Sequence, residues 1–315
     1  MTRVGLVVDV HETRSMGDQD AVRDFQVETP DGRALGVSLW GDPDGAQLFW
    51  LHGTPGSRRL RHDVNDYKAH GLWVCTYDRP GYGMSTRRPG RTVAKVADDV
   101  ETIADALSWD TFGVAGVSGG GAPALAAAAN LPSMVSRCAA IAVSGPATAP
   151  DLDFAVGMDE ESRASWQAAK RRDLVALKAE WDEAVAWVAE GMPGIDLSDQ
   201  DRTMLVETLD AAGAHGVEGY VDDCLSLVRD WGFRVVDVIA PTRIMLARDD
   251  TSVPASHGDW LMAHLPDAEL IWVDGGHFGP RAGPELDLIR WVGHGGPTNP
   301  DPSRLVGKGD SPGAS

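Results

Sequence analysis

The stretch Thr111-Phe112-Gly113-Val114-Ala115-Gly116-Val117-Ser118-Gly119-Gly120-Gly121-Ala122-Pro123-Ala124-Leu125-Ala126-Ala127-Ala128-Ala129 changes character in its middle. Thr111 to Val117 is short and apolar and reads as a covered strand. Ala122 to Ala129 reads as an alanine-rich helix, stopped by Asn130-Leu131-Pro132. Between them, Gly116-Val117-Ser118-Gly119-Gly120 fits G-x-S-x-G. Small residues two before and two after the serine let the chain bend sharply from strand to helix, so the hydroxyl stands exposed in a strained conformation. The helix start behind it offers free N–H groups and a positive dipole end to a developing oxyanion. Gly113 to Gly119 also fits G-x-x-G-x-x-G. A dinucleotide loop of that kind belongs on the first strand–helix unit of its fold, whereas here at least four strands precede it.

Working outward, strands and helices alternate. Phe25 to Thr29 and Ala34 to Trp40 flank a Pro30-Asp31-Gly32 turn. Gln47 to Leu51 and Leu72 to Tyr77 are further short apolar strands, and Val93 to Leu107 carries an apolar stripe at helical period. Cys138 to Val143 is the next strand. After Ser144-Gly145-Pro146 the rhythm breaks. Residues 159–190, 200–212 and 217–231 read as helices and are rich in acids such as Asp159, Glu160, Glu161, Glu180, Asp182 and Glu183. Strands return at Arg243 to Ala247 and Leu270 to Val273, with helices around Trp260 to His264 and Glu285 to Val292. The pattern predicts one α/β core, 22–147 and 237–293, with a mostly parallel sheet covered on both faces and a helical cap inserted at 148–236. Residues 1–21 and 295–315 read as polar, flexible tails.

Composition narrows the function. The 315 residues carry 28 Lys+Arg against 47 Asp+Glu, a formal charge of −19. That field repels phosphate backbones and anionic lipid surfaces, so neither nucleic acid nor membrane is an expected partner. A small-molecule substrate is, and a homodimer is compatible with the reading. Three Cys without C-x-x-C spacing argue against a disulfide scaffold or zinc ribbon. With no secretory segment and no apolar span of about 20 residues, the expected location is the cytoplasm. His257 and His264, seven apart, do not suit metal ligation, and no metal or cofactor is expected.

A serine hydroxyl is a weak nucleophile unless a base takes its proton and a third group holds that base. His277, in Gly275-Gly276-His277-Phe278 after the strand 270–273, is the best placed histidine. The acid falls in Ala247-Arg248-Asp249-Asp250-Thr251-Ser252-Val253-Pro254, where Asp250 fits D-x-x-V-P and Asp249 is the competing choice. His52-Gly53-Thr54-Pro55-Gly56, after the strand ending at Leu51, can aim a backbone N–H at the same oxyanion.

These motifs, with Tyr77-Asp78-Arg79-Pro80-Gly81-Tyr82-Gly83-Met84-Ser85, resemble the α/β-hydrolase fold superfamily, in its proline iminopeptidase-like and esterase-like branch. The resemblance implies an eight-stranded sheet, Ser118 as nucleophile, His277 as base and Asp250 as its orienting acid. It also implies the N–H groups of Thr54 and Gly119 as the oxyanion hole, and makes the Arg79 to Gly83 segment a loop-shaping element. Gly119 stands where many relatives carry Met, Leu or Trp, which disfavours a typical iminopeptidase. The expected activity is cofactor-free hydrolysis of an ester or lactone on a small or medium, partly apolar substrate. The alternatives are an iminopeptidase-type aminopeptidase, a C–C hydrolase or lyase, and a low-turnover binding protein. Trp166, Trp181, Trp187 and Trp231 are expected in the cap's core, the alternative being that they stack on substrate.

Overall fold

The structure is a computed structural model that describes residues 7–8, 22–61, 64–195, 197–279, 282–296 and 305–306. Its centre is an eight-stranded body: β2 (Arg23–Glu28), β3 (Ala34–Gly41), β4 (Ala46–Leu51), β5 (Leu72–Tyr77), β6 (Phe112–Val117), β7 (Val135–Ile141), β8 (Thr242–Ala247) and β9 (Ala268–Val273). They lie in the order β2-β3-β5-β4-β6-β7-β8-β9. The pairs β2–β3 and β3–β5 are antiparallel, and from β5 onward every pair in the body is parallel. Two residues from each expected tail add edge strands, β1 (Val7–Val8) against β2 and β10 (Leu305–Val306) against β9. The remainder of the expected tails, apart from Gly295 and Gly296, falls outside the described residues.

Strand side chains alternate between faces, and both faces of the central strands are covered, which is why β4, β5, β6 and β8 are mostly apolar, whereas the edge strand β2 (RDFQVE) alternates. On β4, Phe49 and Leu51 enter one core while Leu48 and Trp50 enter the other. Helices α2 (Val96–Leu107), α3 (Gly121–Asn130) and α8 (Ala255–His264) close the first core. Helices α1 (Val64–Ala69) and α9 (Ala282–His294) close the second. Cys75 on β5 and Cys138 on β7 are free thiols with no exposed surface. Burial pushes both thiols well above their usual pKa.

Between β7 and β8 lie α4 (Glu160–Arg171), α5 (Leu174–Ala189), α6 (Asp199–Ala212) and α7 (Glu218–Leu227). The single helix expected over 159–190 is two. Arg172 takes a left-handed turn at φ 58°, and Asp173 starts α5 by accepting the Ala176 N–H at 3.1 Å. Helix α7 ends at Leu227, and Trp231 and Val235, within the expected insertion, pack in the first core. No helix among the described residues is long and apolar enough to cross a membrane.

Candidate active site

Each expected site residue follows the carboxyl end of a parallel strand. Thr54 comes after β4, Ser118 after β6, Asp250 after β8 and His277 after β9. Ser118 opens a short 3₁₀ turn that leads into α3, and its φ is +52°. A left-handed serine is costly, and such strain persists only where surrounding packing enforces it. Here the enforcing contacts are tight. A Cβ on Gly116 would lie 2.1 Å from the Gly120 carbonyl oxygen, and one on Gly120 would lie 2.3 Å from that of Leu51. Only glycines on both sides of the serine permit this bend.

The turn aims the Ser118 hydroxyl at His277, with Oγ 2.9 Å from Nε2. The other ring nitrogen, Nδ1, is 2.8 Å from Asp250 Oδ2. An ionised carboxylate only accepts hydrogen bonds, so Nδ1 carries the hydrogen and Nε2 is left to accept from serine. Asp250 Oδ1 accepts the N–H groups of Ser252 at 2.9 Å and Val253 at 2.8 Å. Burial alone would raise the Asp250 carboxyl. The hydrogen bond and charge of His277, with these two amides, outweigh burial and hold it below the usual carboxylate range. Asp250 is buried and Asp249 is exposed, so of the two adjacent acids it is Asp250 that the structure brings to the histidine.

Thr54 and Gly119 face each other beside Ser118. A Cβ on Gly119 would lie 2.2 Å from Thr54 Oγ1 and 3.1 Å from Thr54 N. The glycine that departs from the bulky residue of many relatives is therefore required by the threonine across from it. The Gly119 N–H lies at the start of the turn into α3, where the first donors have no intrahelical partner.

The segment Asp78-Arg79-Pro80-Gly81-Tyr82 proves more than a loop shaper. Arg79 is buried, and it donates to the His52 carbonyl, to the Gly53 carbonyl at 2.8 Å and to Thr54 Oγ1 at 3.0 Å. It also meets Asp223 of α7, with Nη2 to Oδ2 at 2.5 Å and Nε to Oδ2 at 3.0 Å. Arg91 Nη2 pairs with Asp223 Oδ1, and Tyr82 OH donates to Oδ2 at 3.0 Å. Asp222 takes Arg87 through two bonds of 2.7 and 3.0 Å. Burial would raise the Asp223 carboxyl, but Arg79 and Arg91 outweigh it and hold the carboxyl far below its usual value. The acid-rich helices between β7 and β8 are thus only partly a solvated surface, since Asp222 and Asp223 are buried. His52 is buried and its pKa is pushed well down, first by desolvation and then by the charge of Arg79. It accepts the Arg79 backbone N–H on Nε2 at 3.2 Å, so Nδ1–H donates to the Gly53 carbonyl at 2.7 Å.

Of the tryptophans expected in the cap's core, Trp181 packs on Tyr220 and Trp166 stacks on Phe154, whereas Trp231 lies past α7 in the first core of the sheet and stacks on Phe233. Trp187 on α5 instead reaches Phe278, with ring centres 5.6 Å apart, and Phe278 meets the His277 ring at 5.1 Å. Phe278 is 53% exposed, an apolar ring left facing solvent next to the base. Among the described residues no cluster of three or more His, Cys, Asp or Glu could hold a metal ion. His257 is buried. Its Nδ1 accepts the Gly145 N–H and its Nε2–H donates to the Phe154 carbonyl, each at 3.1 Å.

A family model described as alpha/beta hydrolase fold matches residues 48–280. A serine hydrolase-like protein of Danio rerio is 25% identical over 194 residues, and the match spans 59% of this chain and 58% of that protein's own length. Epoxide hydrolase VrEH1 from Vigna radiata superposes with TM-score 0.67 at 15% identity, covering 87% of this chain and 97% of that one. A thermophilic esterase from Thermogutta terrifontis superposes with TM-score 0.60 at 17% identity, covering 86% and 99%. Identities this low speak for a shared fold, and the chemistry has to be argued from the side chains.

Proposed function

The chain belongs to the α/β hydrolase fold family, and from that premise we propose that it is a serine hydrolase that cleaves an ester or lactone through an acyl-enzyme. The observation that carries the reading is the continuous chain from Ser118 Oγ to His277 Nε2 at 2.9 Å and from His277 Nδ1 to Asp250 Oδ2 at 2.8 Å. As Oγ attacks the carbonyl carbon, Nε2 takes the hydroxyl proton and Asp250 stabilises the imidazolium. The oxyanion lies between the N–H groups of Thr54 and Gly119. His277 then gives its proton to the leaving alkoxide as the ester bond breaks. In the second half, His277 deprotonates water, hydroxide adds to the acyl carbon, and the Ser118 Oγ–carbon bond breaks with return of the proton to serine. No metal or cofactor takes part.

A serine at position 118 weighs against epoxide opening, which in this family uses an aspartate there. Asp222 and Asp223 are committed to Arg87, Arg91 and Arg79, so these buried cap acids are not free to hold a substrate amine. That favours an ester over an aminopeptidase substrate. Trp187 and Phe278 place apolar surface beside the base, which suits a partly apolar acyl or alcohol group of small or medium size.

Intact-mass labelling with a fluorophosphonate tests the assignment. One adduct on the wild type and none on Ser118→Ala is the expected result, with ester turnover lost in the variant. A wild type that takes no adduct, or a Ser118→Ala variant that still does, would overturn it.

A further inference from the structure

The oxyanion loop of this protein is held from the cap. A trans peptide points its C=O and N–H in opposite directions. The carbonyl of Gly53 is fixed onto Arg79 Nη2, so the N–H of Thr54 in the same peptide is turned the other way. The Thr54 nitrogen lies next to Gly119, where a Cβ would come within 3.1 Å of it. The preceding carbonyl, of His52, is fixed by the other arm of the same guanidinium. The guanidinium is in turn fixed by Asp223 through bonds of 2.5 and 3.0 Å, and Asp223 Oδ2 accepts directly from the Thr54 hydroxyl at 2.9 Å. Asp223 lies on α7, 169 residues from Thr54 and within the inserted cap.

We propose that Asp223 is a positioning residue of the oxyanion hole: it aligns the Thr54 N–H through the Thr54 hydroxyl and through Arg79. The role rests on the reading of Thr54 as an oxyanion donor. Asp223 never meets substrate. Its carboxylate is enclosed by Arg79, Arg91, Tyr82 and Thr54, all of which donate to it, and it is buried. A donor aimed at the oxyanion acts on the transition state far more than on the bound ester, so loosening it lowers kcat and leaves KM nearly unchanged. A purely structural clasp between cap and core would instead lower stability and the fraction of competent sites.

The experiment compares Thr54→Val, Thr54→Ser, Asp223→Asn and the Thr54→Val/Asp223→Asn double variant of the full chain. It uses a p-nitrophenyl acyl ester as substrate and fluorophosphonate titration to count competent sites. Thr54→Val and Asp223→Asn are each expected to lower kcat per titrated site by roughly tenfold to a hundredfold, with KM within about twofold. Thr54→Ser, which keeps the hydroxyl, recovers most of the Thr54→Val loss. The double variant is no slower than the slower single variant, because both cut one tie. The role is overturned if kcat per titrated site stays within about twofold of wild type in Thr54→Val or in a folded Asp223→Asn, if the loss falls on KM, or if the two losses multiply. Should Asp223→Asn fail to fold, Thr54→Val and its serine rescue decide alone. A wild type that takes no label at Ser118 overturns the hydrolase reading and this role with it. A wild type that labels and turns over, beside an unaffected Thr54→Val, overturns only the positioning role.

Discussion

Asp249 and Asp250 are adjacent and chemically identical, yet one faces water and the other is buried with both oxygens engaged. Removing the charge from Asp250 lets an amide nitrogen face the ring and favours the wrong imidazole tautomer. Asp250→Asn is therefore expected to lower kcat by about 10⁴, a magnitude measured for the equivalent change in serine proteases, while Asp249→Asn changes it by less than about twofold. Steady-state kinetics on both variants checks this, and a reversed order would reassign the acid. The sequence already pointed to Ser118, His277 and Asp250, because each stands in a distinctive local motif directly after a strand. Arg79 was legible only as part of a loop motif, because its role depends on Asp223, 144 positions away. Asp223 itself was not legible at all. An Asp-Asp pair on a helix in an acidic stretch has the same local signature whether it meets solvent or two arginines.

The cap helices differ in how they are tied down. Helix α7 is held by Asp222 and Asp223 to Arg87, Arg91 and Arg79. Helix α6 is held by the Ser57 hydroxyl, which donates to the Thr208 carbonyl at 2.9 Å. The start of α4 is held by Asp159, which donates its N–H to the Thr251 carbonyl at 3.0 Å and accepts the Thr251 hydroxyl at 2.9 Å. Among the described residues, α5 makes its side-chain polar contacts within the cap. Glu180 accepts from Ser165 and Tyr220, and Lys178 pairs with Glu218. Its Trp187 ring also reaches Phe278 of the core. Local opening follows such differences. Backbone amides of α5 are expected to exchange with solvent at least about tenfold faster than those of α7, as read by hydrogen-exchange mass spectrometry. Equal protection of the two helices would contradict this. Helical periodicity pointed to helices between β7 and β8 but could not rank them, since what separates them is contact with distant loops.

At the scale of the molecule, the sheet was the most legible part. Its central strands are apolar because both faces are covered, and that pattern survives without knowledge of partners. His257 belongs to this scale because it joins α8, the loop after β7 and the start of the cap. Burial lowers its pKa to about 4 against the pull of the Phe154 carbonyl. The unfolded chain binds a proton on this histidine near pH 6.5 and the folded chain only near pH 4, so stability falls as pH drops through that window. The difference corresponds to about 3 kcal/mol lost between roughly pH 7 and pH 4. In His257→Gln, which cannot take the proton, urea unfolding at the two ends of the range should show that part of the loss removed. An unchanged pH slope would remove His257 from the account.

Cys75 and Cys138 lie on β5 and β7, two strands in the middle of the body, with no surface open to reagents. A maleimide or iodoacetamide can reach either sulfur only in a chain whose central layer has come apart. Alkylation at these two positions is thus an intrinsic clock for global unfolding, readable at low protein concentration and without denaturant, and it runs independently of whatever the serine is doing.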